Sequence, residues 1–412
     1  MEKLLESTDK DSNNELIQTP PLIKSVLEKQ QYRFVGEFNH TAVKICGWTK
    51  NMIRSEGGCY KLKFYGIMSH QCMQMSPSIS CANRCTFCWR DYKSPVSKEW
   101  IWGVDEPETI INGSLEQHHK LLVGFKGSPK TNQSAYRQSS SVKHVALSLT
   151  GEPISYPKIN ELVDQFHEQG ISTFLVTNAS YPEQIKNLHP ITQLYISLDA
   201  PTKDLLKEVD KPLFEDFWER LNKSLEYMSQ KEYRTCIRLT MIKGINMVQP
   251  EEYAKLIKIG NPDFLEIKAY MHVGASTERL QRENMPLHEE CVAFTQELVK
   301  YLPDYEIVSE HISSRVIMVS KKEYKLDGVW HTWIDFPKFH ELVEQGKPVR
   351  TKEFLKKTPS TGISGKGSLD RIKKDNDRAN DTVFIDLIDN LEVKIDEKTP
   401  ELSFYEEKSE DC

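Results

Sequence analysis

Three cysteines stand close together in the stretch Ser80–Asp91, at positions Cys81, Cys85 and Cys88. Their C-x₃-C-x₂-C spacing allows each thiolate to bind one iron of a cubane 4Fe–4S cluster, which leaves the fourth iron without a protein ligand. A zinc knuckle is the alternative interpretation. Structural zinc sites use four ligands in paired groups, however, and no partner pair follows at zinc-finger distance. The spacing therefore predicts an iron–sulfur cluster with one open iron.

An open iron is the group that S-adenosylmethionine (SAM) chelates before its reductive cleavage to a 5′-deoxyadenosyl radical. Phe87, an aromatic residue directly before the last cysteine, also fits this use. The spacing is that of the radical-SAM superfamily, so the triplet predicts a cluster that cleaves SAM.

The number and spacing of the cysteines also indicate the cellular compartment. Nine cysteines in 412 residues, six of them between positions 46 and 88, favour metal binding in a reducing cytosol over a disulfide framework. The chain begins with a polar stretch, and it contains no apolar run long enough for a membrane span. We therefore expect a cytoplasmic protein that does not enter a membrane.

Charge is distributed unevenly along the chain. The formal net charge is −6, but residues 381–412 hold eleven acidic residues and three lysines, and residues 1–16 hold five acidic residues and two lysines. The body between these ends is mildly basic, which permits a nucleic-acid partner without requiring one.

From about residue 55 to residue 275, apolar segments alternate with stretches of helical periodicity. Repeated βα units predict an α/β fold with a parallel sheet, and six of them match the open partial (β/α)6 TIM barrel of radical-SAM enzymes. Active-site groups would gather at the C-terminal ends of the strands. The predicted strands are Tyr60–Ile67, Gln71–Gln74, His144–Leu149, Ser172–Val176, Gln193–Leu198, Cys236–Ile242 and Phe264–Tyr270.

Composition and periodicity divide the chain into five predicted parts. The last part contains a basic linker and an acidic tail with one short apolar helix, Val383–Leu391. The parts are a disordered N-terminus (1–30), an N-terminal cluster-binding segment with a second set of cysteines (31–75), the partial barrel (60–280), a C-terminal α+β extension (281–346), and a largely disordered linker and tail (347–412).

The second set of cysteines consists of Cys46, Cys59 and Cys72, spaced thirteen residues apart. Chain excursions of this length could return three thiols to one point at the barrel mouth, where they would hold a second cluster whose open iron binds an anionic substrate. Three ordinary buried cysteines are the alternative. The position of the set directly before the triplet favours a second cluster.

Lys61 lies two residues after Cys59. In a strand, Lys61 and Lys63 would share the face of Cys59. A desolvated lysine can lose its proton and form a Schiff base with a keto acid, whereas a solvated lysine is the usual case in a strand. The residues alone leave both interpretations open.

Polar residues follow several of the predicted strands. The carboxylate and open backbone groups of Gly151 and Glu152 can bind the SAM ammonium group, and residues at the ends of later strands can hold its ribose, carboxylate or adenine. Helix and turn capping is the alternative role of such residues. The candidates for SAM binding are Thr150, Gly151, Glu152, Asn178, Ser197, Asp199, Met271, His272 and Val273.

With these residues the chain resembles the archaeal form of the tRNA 4-demethylwyosine synthase family, the SAM-dependent radical enzymes of wyosine and wybutosine biosynthesis. The resemblance spans roughly residues 30–345. The matching stretches are VKICGWTK (43–50), CYKLKFYGI (59–67), the cysteine triplet with WRDY (89–92), SLTGEP (148–153), LVTNAS (175–180), YISLDAP (195–201), EIKAYMHVGAS (266–276) and WHTWIDF (330–336).

The resemblance implies a lyase-type radical reaction on tRNA. The 5′-deoxyadenosyl radical would take hydrogen from the methyl group of N1-methylguanosine at position 37 of phenylalanine tRNA. Pyruvate, bound at the second 4Fe–4S cluster and as a Schiff base on lysine, would trap the methylene radical and lose its carboxyl carbon as the 4-demethylwyosine ring closes. The implied assignments are Cys81, Cys85 and Cys88 for the SAM cluster, Cys46, Cys59 and Cys72 for the second cluster, and Lys61 for the Schiff base.

The segment Gln117–His144 contains five Lys and Arg residues and no acidic residue, and it breaks the βα pattern with a flexible stretch. With tRNA as the implied substrate, Lys126, Lys130 and Arg137 become the candidates for contact with its phosphates. Cys236, Cys291 and Cys412 are predicted not to bind metal.

The chain also departs from the family. Eukaryotic members carry an N-terminal flavodoxin-like FMN domain, whereas 45 residues precede Cys46 here. We therefore expect a monomer without an FMN domain that takes electrons from a separate flavodoxin- or ferredoxin-type protein. Two other functions stay open: a radical-SAM enzyme acting on a small molecule, which would need no basic insert, and a zinc-stabilised RNA-binding protein.

Overall fold

A ten-stranded sheet organises residues 18–365, the part of the chain that the computed structural model describes. Its order follows the chain from the first strand to the eighth, after which the tenth and then the ninth complete the sheet. The strands are β1 Arg33–Val35, β2 Thr41–Val43, β3 Cys72–Ser76, β4 His144–Leu147, β5 Ser172–Thr177, β6 Gln193–Ser197, β7 Thr235–Met241, β8 Phe264–Ala269, β9 Tyr305–His311 and β10 Val316–Lys321.

Strands β3 to β8 are parallel neighbours, and antiparallel strands extend the sheet at both edges. The six parallel strands confirm the predicted partial (β/α)6 barrel, and β9 and β10 belong to the predicted α+β extension. Two short antiparallel pairs lie outside the sheet, β11 Lys325–Leu326 with β12 Val329–Trp330, and β13 Trp333–Ile334 with β14 Leu355–Lys356.

The longer helices pack one apolar face into the protein. In the helix Ile159–Glu168, the face of Leu162, Val163 and Phe166 is buried, and Gly170 with a φ of 67° ends the turn that follows. None of the helices between residues 18 and 365 is long and apolar enough to cross a membrane. The helices are α1 Pro21–Lys29, α2 Gly47–Ile53, α3 Tyr60–Tyr65, α4 Pro107–Leu122, α5 Gln133–Ser139, α6 Ile159–Glu168, α7 Pro182–Asn187, α8 Lys203–Asp210, α9 Phe217–Ser229, α10 Pro250–Gly260, α11 His288–Val299 and α12 Phe336–Glu344.

The predicted strand at Tyr60–Ile67 is wrong, because this segment forms α3. Gly66, with a φ of 79°, terminates the helix. Leu62, Phe64 and Tyr65 are all buried, so the helix is covered on nearly every side and its sequence lacks the 3.6-residue alternation of a surface helix. A short, continuous apolar run of this kind cannot be told from a buried strand by periodicity.

The basic insert, residues 117–144, is also more ordered than predicted. It comprises the end of α4, a 3₁₀ turn at Val123–Phe125, and α5. Asn132 caps α5 by accepting hydrogen bonds from two backbone N–H groups, and its own N–H donates to the carbonyl of Ile53 at 2.8 Å. Local capping and this long-range bond hold a segment whose composition suggested flexibility.

The predicted disorder at both ends extends too far into the chain. α1 packs Leu27 into the protein, so residues 21–29 are helical. Residues 347–365 are not a free linker, because Phe354 is fully buried and Ser364 donates two hydrogen bonds to Glu310. Residues 1–17 and 366–412, including the predicted helix Val383–Leu391 and Cys412, lie outside the described residues.

Candidate active site

The cysteine triplet lies in the long loop after β3, and all three thiols are half-buried. The sulfur of Cys81 accepts hydrogen bonds from the backbone N–H of Asn83 at 3.4 Å and from Nδ2 of Asn178 at 3.3 Å. Burial raises the pKa of the Cys81 thiol to about 12, and that of the Cys85 thiol well above its ordinary value. Iron binding removes such thiol protons, and N–H donors to sulfur are the usual surroundings of iron–sulfur clusters.

Two arginines fix the shape of this loop. Arg90 donates to the carbonyls of Ile79 at 3.1 Å and Asn83 at 3.2 Å. Arg279 donates to the carbonyls of Thr86 at 3.0 Å and of Cys88. The role of Arg279 was missed in the sequence, because it lies almost 200 residues after the loop and carries no motif.

Glu152 and Asn178 lie beside this loop at the C-terminal ends of β4 and β5. The backbone N–H of Glu152 donates to the carbonyl of Ser80 at 2.7 Å, and its Oε2 accepts from the N–H of Asn178 at 2.9 Å. Gly151 permits this contact: it has a φ of 66°, and a Cβ there would lie 2.1 Å from the carbonyl oxygen of Ser78. The loop and the two strand ends therefore form one packed unit.

One of the two oxygens of the Glu152 carboxylate lacks a donor. Its Oε1 is buried and has no hydrogen-bond partner among residues 18–365, and burial raises the pKa of Glu152 to about 7. An ammonium group at Oε1 would supply the missing hydrogen bond and favour the charged carboxylate. The residues present therefore fit the SAM ammonium group at this position.

Asp199 and Asp210 add two more buried carboxylates with an unsatisfied oxygen. Burial raises the pKa of Asp199 to about 7 and that of Asp210 well above its ordinary value, and Asp210 is hydrogen-bonded to the Cys85 thiol. Asp199 was among the predicted SAM ligands, whereas Asp210, the last residue of α8, was missed. It follows an ordinary helical pattern and gave no signal of its own.

The remaining candidates for SAM binding lie at or after the C-terminal ends of the barrel strands. Thr150 is buried and Ser197 is half-buried at the end of β6. Met271 and His272 are half-buried after β8, whereas Val273 is 52 % exposed. The turn that follows is tied to the cysteine loop, because the N–H of Ala275 donates to the carbonyl of Trp89 at 3.0 Å.

Cys46, Cys59 and Cys72 come together although they are distant in sequence. Cys46 directly precedes α2, Cys59 directly precedes α3, and Cys72 is the first residue of β3. Burial raises the pKa of the Cys59 and Cys72 thiols to about 12, and the charge of Cys46 raises the pKa of both further. The charge of Lys61 lowers the pKa of Cys72. Each of the two segments between these cysteines contains one short α-helix, after which the chain comes back close to the preceding cysteine.

Neither set has the geometry of a single-ion site. Among residues 18–365, no three Cys, His, Asp or Glu side chains converge closely enough to hold one metal ion. A cubane cluster spreads its three thiolates over three irons, so a wider arrangement suits it, whereas tetrahedral zinc requires the tighter one. Three thiolates in each set is the number that a 4Fe–4S cluster with one open iron uses, whereas a structural zinc site uses four ligands.

Lys61 points towards the strands of the barrel. Its Nζ lies 4.4 Å from the ring centre of Tyr195 on β6 and 5.8 Å from that of Phe174 on β5. It forms no hydrogen bond or ion pair with a carboxylate among the described residues. Burial, and next the guanidinium of Arg238, lowers the pKa of the Lys61 amine. The half-buried amine is thus placed and tuned as a nucleophile would need.

The helical conformation of α3 changes which lysine accompanies Lys61. Lys63 does not share its face; the carbonyl of Lys63 accepts a hydrogen bond from Trp333 at 2.9 Å. Lys268, on β8, is the second lysine near this site, where burial lowers its pKa to about 8 and its Nζ donates to the carbonyl of Ser314 at 3.1 Å. A lysine within an apolar strand was the signal that could have identified it.

Glu266 connects α3 to the interior of the barrel. Its carboxylate is fully buried and accepts hydrogen bonds from the hydroxyls of Tyr60 at 2.9 Å and Tyr65 at 3.0 Å, at opposite ends of α3. Arg238 pairs with the same carboxylate at 2.9 Å and donates to the Tyr60 hydroxyl at 2.7 Å. Sequence analysis missed this network, although two charged residues in the predicted strands of β7 and β8 pointed to it.

The basic insert lies next to the elements of the second cysteine set. Lys126, Lys130 and Arg137 are exposed and form no ion pair with the described part of the chain. α5 is joined to the turn before Cys72 by a 2.7 Å hydrogen bond between His70 Nε2 and Gln138 Oε1. Cys236 and Cys291 are fully buried within the hydrophobic core.

Comparisons with known proteins agree with this architecture. The family model described as "Radical SAM superfamily" matches residues 75–257, and the one described as "Wyosine base formation" matches residues 259–321. The S-adenosyl-L-methionine-dependent tRNA 4-demethylwyosine synthase of Oryza sativa subsp. japonica is 48% identical over 348 residues, which are 84% of this chain and 53% of the rice protein. The Homo sapiens protein of that name, TYW1, is 44% identical over 352 residues, which are 84% of this chain and 48% of the human protein. The chain thus spans about half the length of these curated relatives.

Two solved structures match this chain over nearly their whole length. "Structure of TYW1 with a lysine-pyruvate adduct bound" is 34% identical with a TM-score of 0.67, and the match covers 74% of this chain and 97% of that one. "Crystal structure of archaeal TYW1" is 32% identical with a TM-score of 0.61, and the match covers 76% of this chain and 99% of that one. The fold, the two sets of cysteines and these matches together place the chain in the TYW1 family of radical-SAM proteins.

Proposed function

We propose that this protein is a SAM-dependent tRNA 4-demethylwyosine synthase, which converts N1-methylguanosine at position 37 of phenylalanine tRNA, with pyruvate, into 4-demethylwyosine. The observation that carries the proposal is the position of Lys61. Within residues 18–365 this lysine has no carboxylate partner, and it lies beside three convergent thiols on the interior face of a radical-SAM barrel. The related structure described with a lysine–pyruvate adduct supports this use of a lysine.

Cys81, Cys85 and Cys88 would hold the first 4Fe–4S cluster, which supplies the electron that cleaves SAM. Glu152 would bind the SAM ammonium group through its free Oε1, and Asn178 orients Glu152 while donating to the sulfur of Cys81. Asp199, with an unsatisfied oxygen at the neighbouring strand end, would accept from a ribose hydroxyl. These residues bind and orient SAM at the mouth of the barrel.

Cys46, Cys59 and Cys72 would hold a second 4Fe–4S cluster, and Lys61 would bind pyruvate. The neutral amine of Lys61 attacks the keto carbon, and an imine forms as one water molecule leaves. Burial against Tyr195 and Phe174 favours the neutral amine and keeps bulk water away from the imine. The imine carbon of the bound pyruvate would stay accessible, so that it can bond to the N1-methyl carbon of the purine while its bond to the carboxyl carbon breaks.

The basic insert would bind the tRNA backbone. Lys126, Lys130 and Arg137 are exposed cations that form no ion pair with residues 18–365, and their segment is bonded to the elements of the second cysteine set. Phosphate contacts from these residues would position the anticodon arm over the barrel mouth.

Mass spectrometry of tRNA digests tests this function. After anaerobic incubation with SAM, pyruvate and a reductant, phenylalanine tRNA that carries N1-methylguanosine should yield 4-demethylwyosine. The same tRNA without the N1-methyl group is the matched control and should yield none. Cleavage of SAM without any change to methylated tRNA would contradict the proposal and favour a small-molecule substrate.

A further inference from the structure

Three chain segments surround the thiols of the cysteine triplet, and each carries an exposed cation that the proposed function does not use. The first segment is the triplet loop itself, with Arg84. The second is bonded to the carbonyl of Cys81 by the N–H of Ser97 at 3.3 Å, and Lys98 follows directly. The third begins at Lys211, whose carbonyl accepts from the N–H of Arg84 at 3.3 Å. Cations from three segments therefore lie around one loop.

The three cations belong to one positively charged surface. All three are exposed, and they form no ion pair within the described part of the chain. The segments that carry them, residues 81–99 and 211–214, contain five Lys and Arg residues and two acidic residues. Nζ of Lys98 lies 5.9 Å from the ring centre of Phe214, so the second and third segments meet. Such a surface attracts an anionic partner.

Each cation is also close to a thiol of the triplet, along the chain or through one hydrogen bond. Arg84 directly precedes Cys85. Lys211 directly follows Asp210, which is hydrogen-bonded to the Cys85 thiol. Lys98 follows the residue whose N–H bonds to the backbone of the first cysteine. A protein bound to these cations would therefore lie close to the first cluster, and electron transfer between proteins is fast only over short distances.

Contacts between the segments hold this surface in a fixed shape. The Cζ atom of Arg279 lies 4.1 Å from the ring centre of Tyr92, and the Tyr92 hydroxyl donates to the carbonyl of Arg84 at 2.8 Å. The N–H of Leu213 donates to the carbonyl of Ala82 at 2.8 Å. A preformed surface suits a partner that binds briefly and leaves again, because little ordering accompanies each encounter.

We propose that Arg84, Lys98 and Lys211 form the docking surface for a small acidic protein that carries single electrons and reduces the first cluster. Reductive cleavage of SAM consumes one electron, which the reduced carrier gives to the cluster while it is itself oxidised by one electron. Charge attraction speeds such encounters without making them tight, as the small interfaces of electron-transfer proteins require. The inference goes beyond the proposed function and rests only on its SAM-cleaving step.

The position of the three cations favours an electron carrier over tRNA. An electron donor has to approach the first cluster itself, and these cations surround the loop that carries its ligands. The phosphates of tRNA have no such constraint, and the basic insert, which is bonded to the elements of the second cysteine set, offers cations for them. Weaker tRNA binding is therefore the alternative outcome of the test.

Stopped-flow absorbance of the iron–sulfur clusters tests this surface without tRNA or turnover. The anaerobic, iron-loaded protein is mixed at low salt with reduced flavodoxin or reduced ferredoxin, two acidic carriers. The triple change Arg84→Gln, Lys98→Gln and Lys211→Asn should slow reduction by the faster carrier by about tenfold or more and remove most of its salt dependence. Asparagine replaces Lys211 because this residue has a φ of 44°, which asparagine tolerates.

Two controls separate docking from folding. Photoreduced deazariboflavin, an uncharged small reductant, should reduce the native protein and the triple variant at equal rates and give equal amounts of 5′-deoxyadenosine from SAM. The matched control variant is Lys258→Gln, Lys347→Gln and Lys356→Gln, which removes three exposed cations outside the three segments that also form no ion pair with residues 18–365. Its reduction by the carrier should match that of the native protein. Iron content verifies that the clusters are intact in each variant.

The outcomes distinguish this inference from the proposed function. Equal reduction of the native protein and the triple variant by the carrier would overturn the inference and leave the proposed function intact. Reduction of the native protein by deazariboflavin but by neither carrier would do the same. A triple variant that is reduced normally but binds tRNA more weakly would assign the surface to tRNA instead. A native protein that is reduced through this surface yet makes no 4-demethylwyosine would support the inference and contradict the proposed function.

Discussion

The two cysteine sets differ in the buried ionisable side chains that lie beside them. Beside the triplet are three buried carboxylates, Glu152, Asp199 and Asp210, each with an oxygen that lacks a donor. Beside the second set are the cations Lys61 and Lys268, together with Arg238. SAM carries an ammonium and a sulfonium group, whereas pyruvate carries a carboxylate. The two halves of the site are thus matched to a cationic and an anionic small molecule, and the difference explains how two similar clusters would take different ligands.

The two sets also differ in how they are built. The triplet is local, since one loop clamped by Arg90 and Arg279 carries all three thiols. The second set is assembled from the beginnings of α2, α3 and β3, and it depends on how these elements pack. A local set can be moved or altered without disturbing the fold, whereas an assembled set is coupled to the core.

Substitution of Lys61 should have the largest effect on the cationic half. Lys61→Arg keeps the charge but cannot form an imine, so the variant should retain iron and cleave SAM yet produce no 4-demethylwyosine. Borohydride with labelled pyruvate should mark the Lys61 peptide in the native protein and no peptide in this variant. Lys63→Arg is the matched control and should still be labelled at Lys61. Label on Lys268 would instead assign the imine to β8 and contradict the role of Lys61.

Neutralising the basic insert should have the next largest effect. The triple change Lys126→Gln, Lys130→Gln and Arg137→Gln should weaken tRNA binding and lower the slope of log affinity against log salt by about two to three, since each phosphate contact releases counter-ions. SAM cleavage without tRNA should be unaffected. A control triple change at Lys207, Lys258 and Lys356, exposed cations that also form no ion pair in the described part of the chain, should leave the slope unaltered. Equal slopes for both triple variants would place the tRNA contacts elsewhere.

Removing single hydroxyls from α3 should have a smaller and graded effect. Tyr60→Phe and Tyr65→Phe each take one donor from the buried carboxylate of Glu266, and each should lower the free energy of unfolding by about 1–3 kcal/mol, measured with denaturant. Only Tyr60→Phe should also slow imine formation at Lys61, because Tyr60 contacts Arg238 as well. Equal effects of the two variants on labelling would show that the network only stabilises the fold.

The smallest effect is expected from the cysteines outside both sets. Cys236 and Cys291 are packed in the core, so the double change to Ala or Ser, together with Cys412→Ser, should leave the iron content per chain unchanged. The loss of one cluster's iron would mean that one of these thiols is a ligand.

Sequence reasoning recovered the features that are local. Six of the seven predicted strands are present as the parallel sheet, and most of them are apolar runs that alternate with periodic helices. The triplet and the residues at the strand ends could be predicted because their spacing lies within one loop or one βα unit. Glu152 and Asn178 are in direct contact with this loop for that reason.

The features that were missed depend on packing between distant segments. α3 was mistaken for a strand because it is buried on nearly every side, and this error paired Lys61 with Lys63. Arg238, Glu266 and Lys268 belong to two strands that meet α3 from about 180 to 200 residues away. The charged residues within apolar strands marked these positions, but only the fold shows that Arg238 and Glu266 contact α3.

The division of labour between the two cysteine sets is tested most directly by measuring 5′-deoxyadenosine and iron in paired variants. Cys85→Ala should lose the iron of one cluster and form no 5′-deoxyadenosine, and the same result is expected for Cys81→Ala and Cys88→Ala. Cys59→Ala should also lose the iron of one cluster, yet it should still cleave SAM in the absence of tRNA and make no modified base. Measurable 5′-deoxyadenosine from a triplet variant, or its absence from Cys59→Ala with the first cluster intact, would contradict the account.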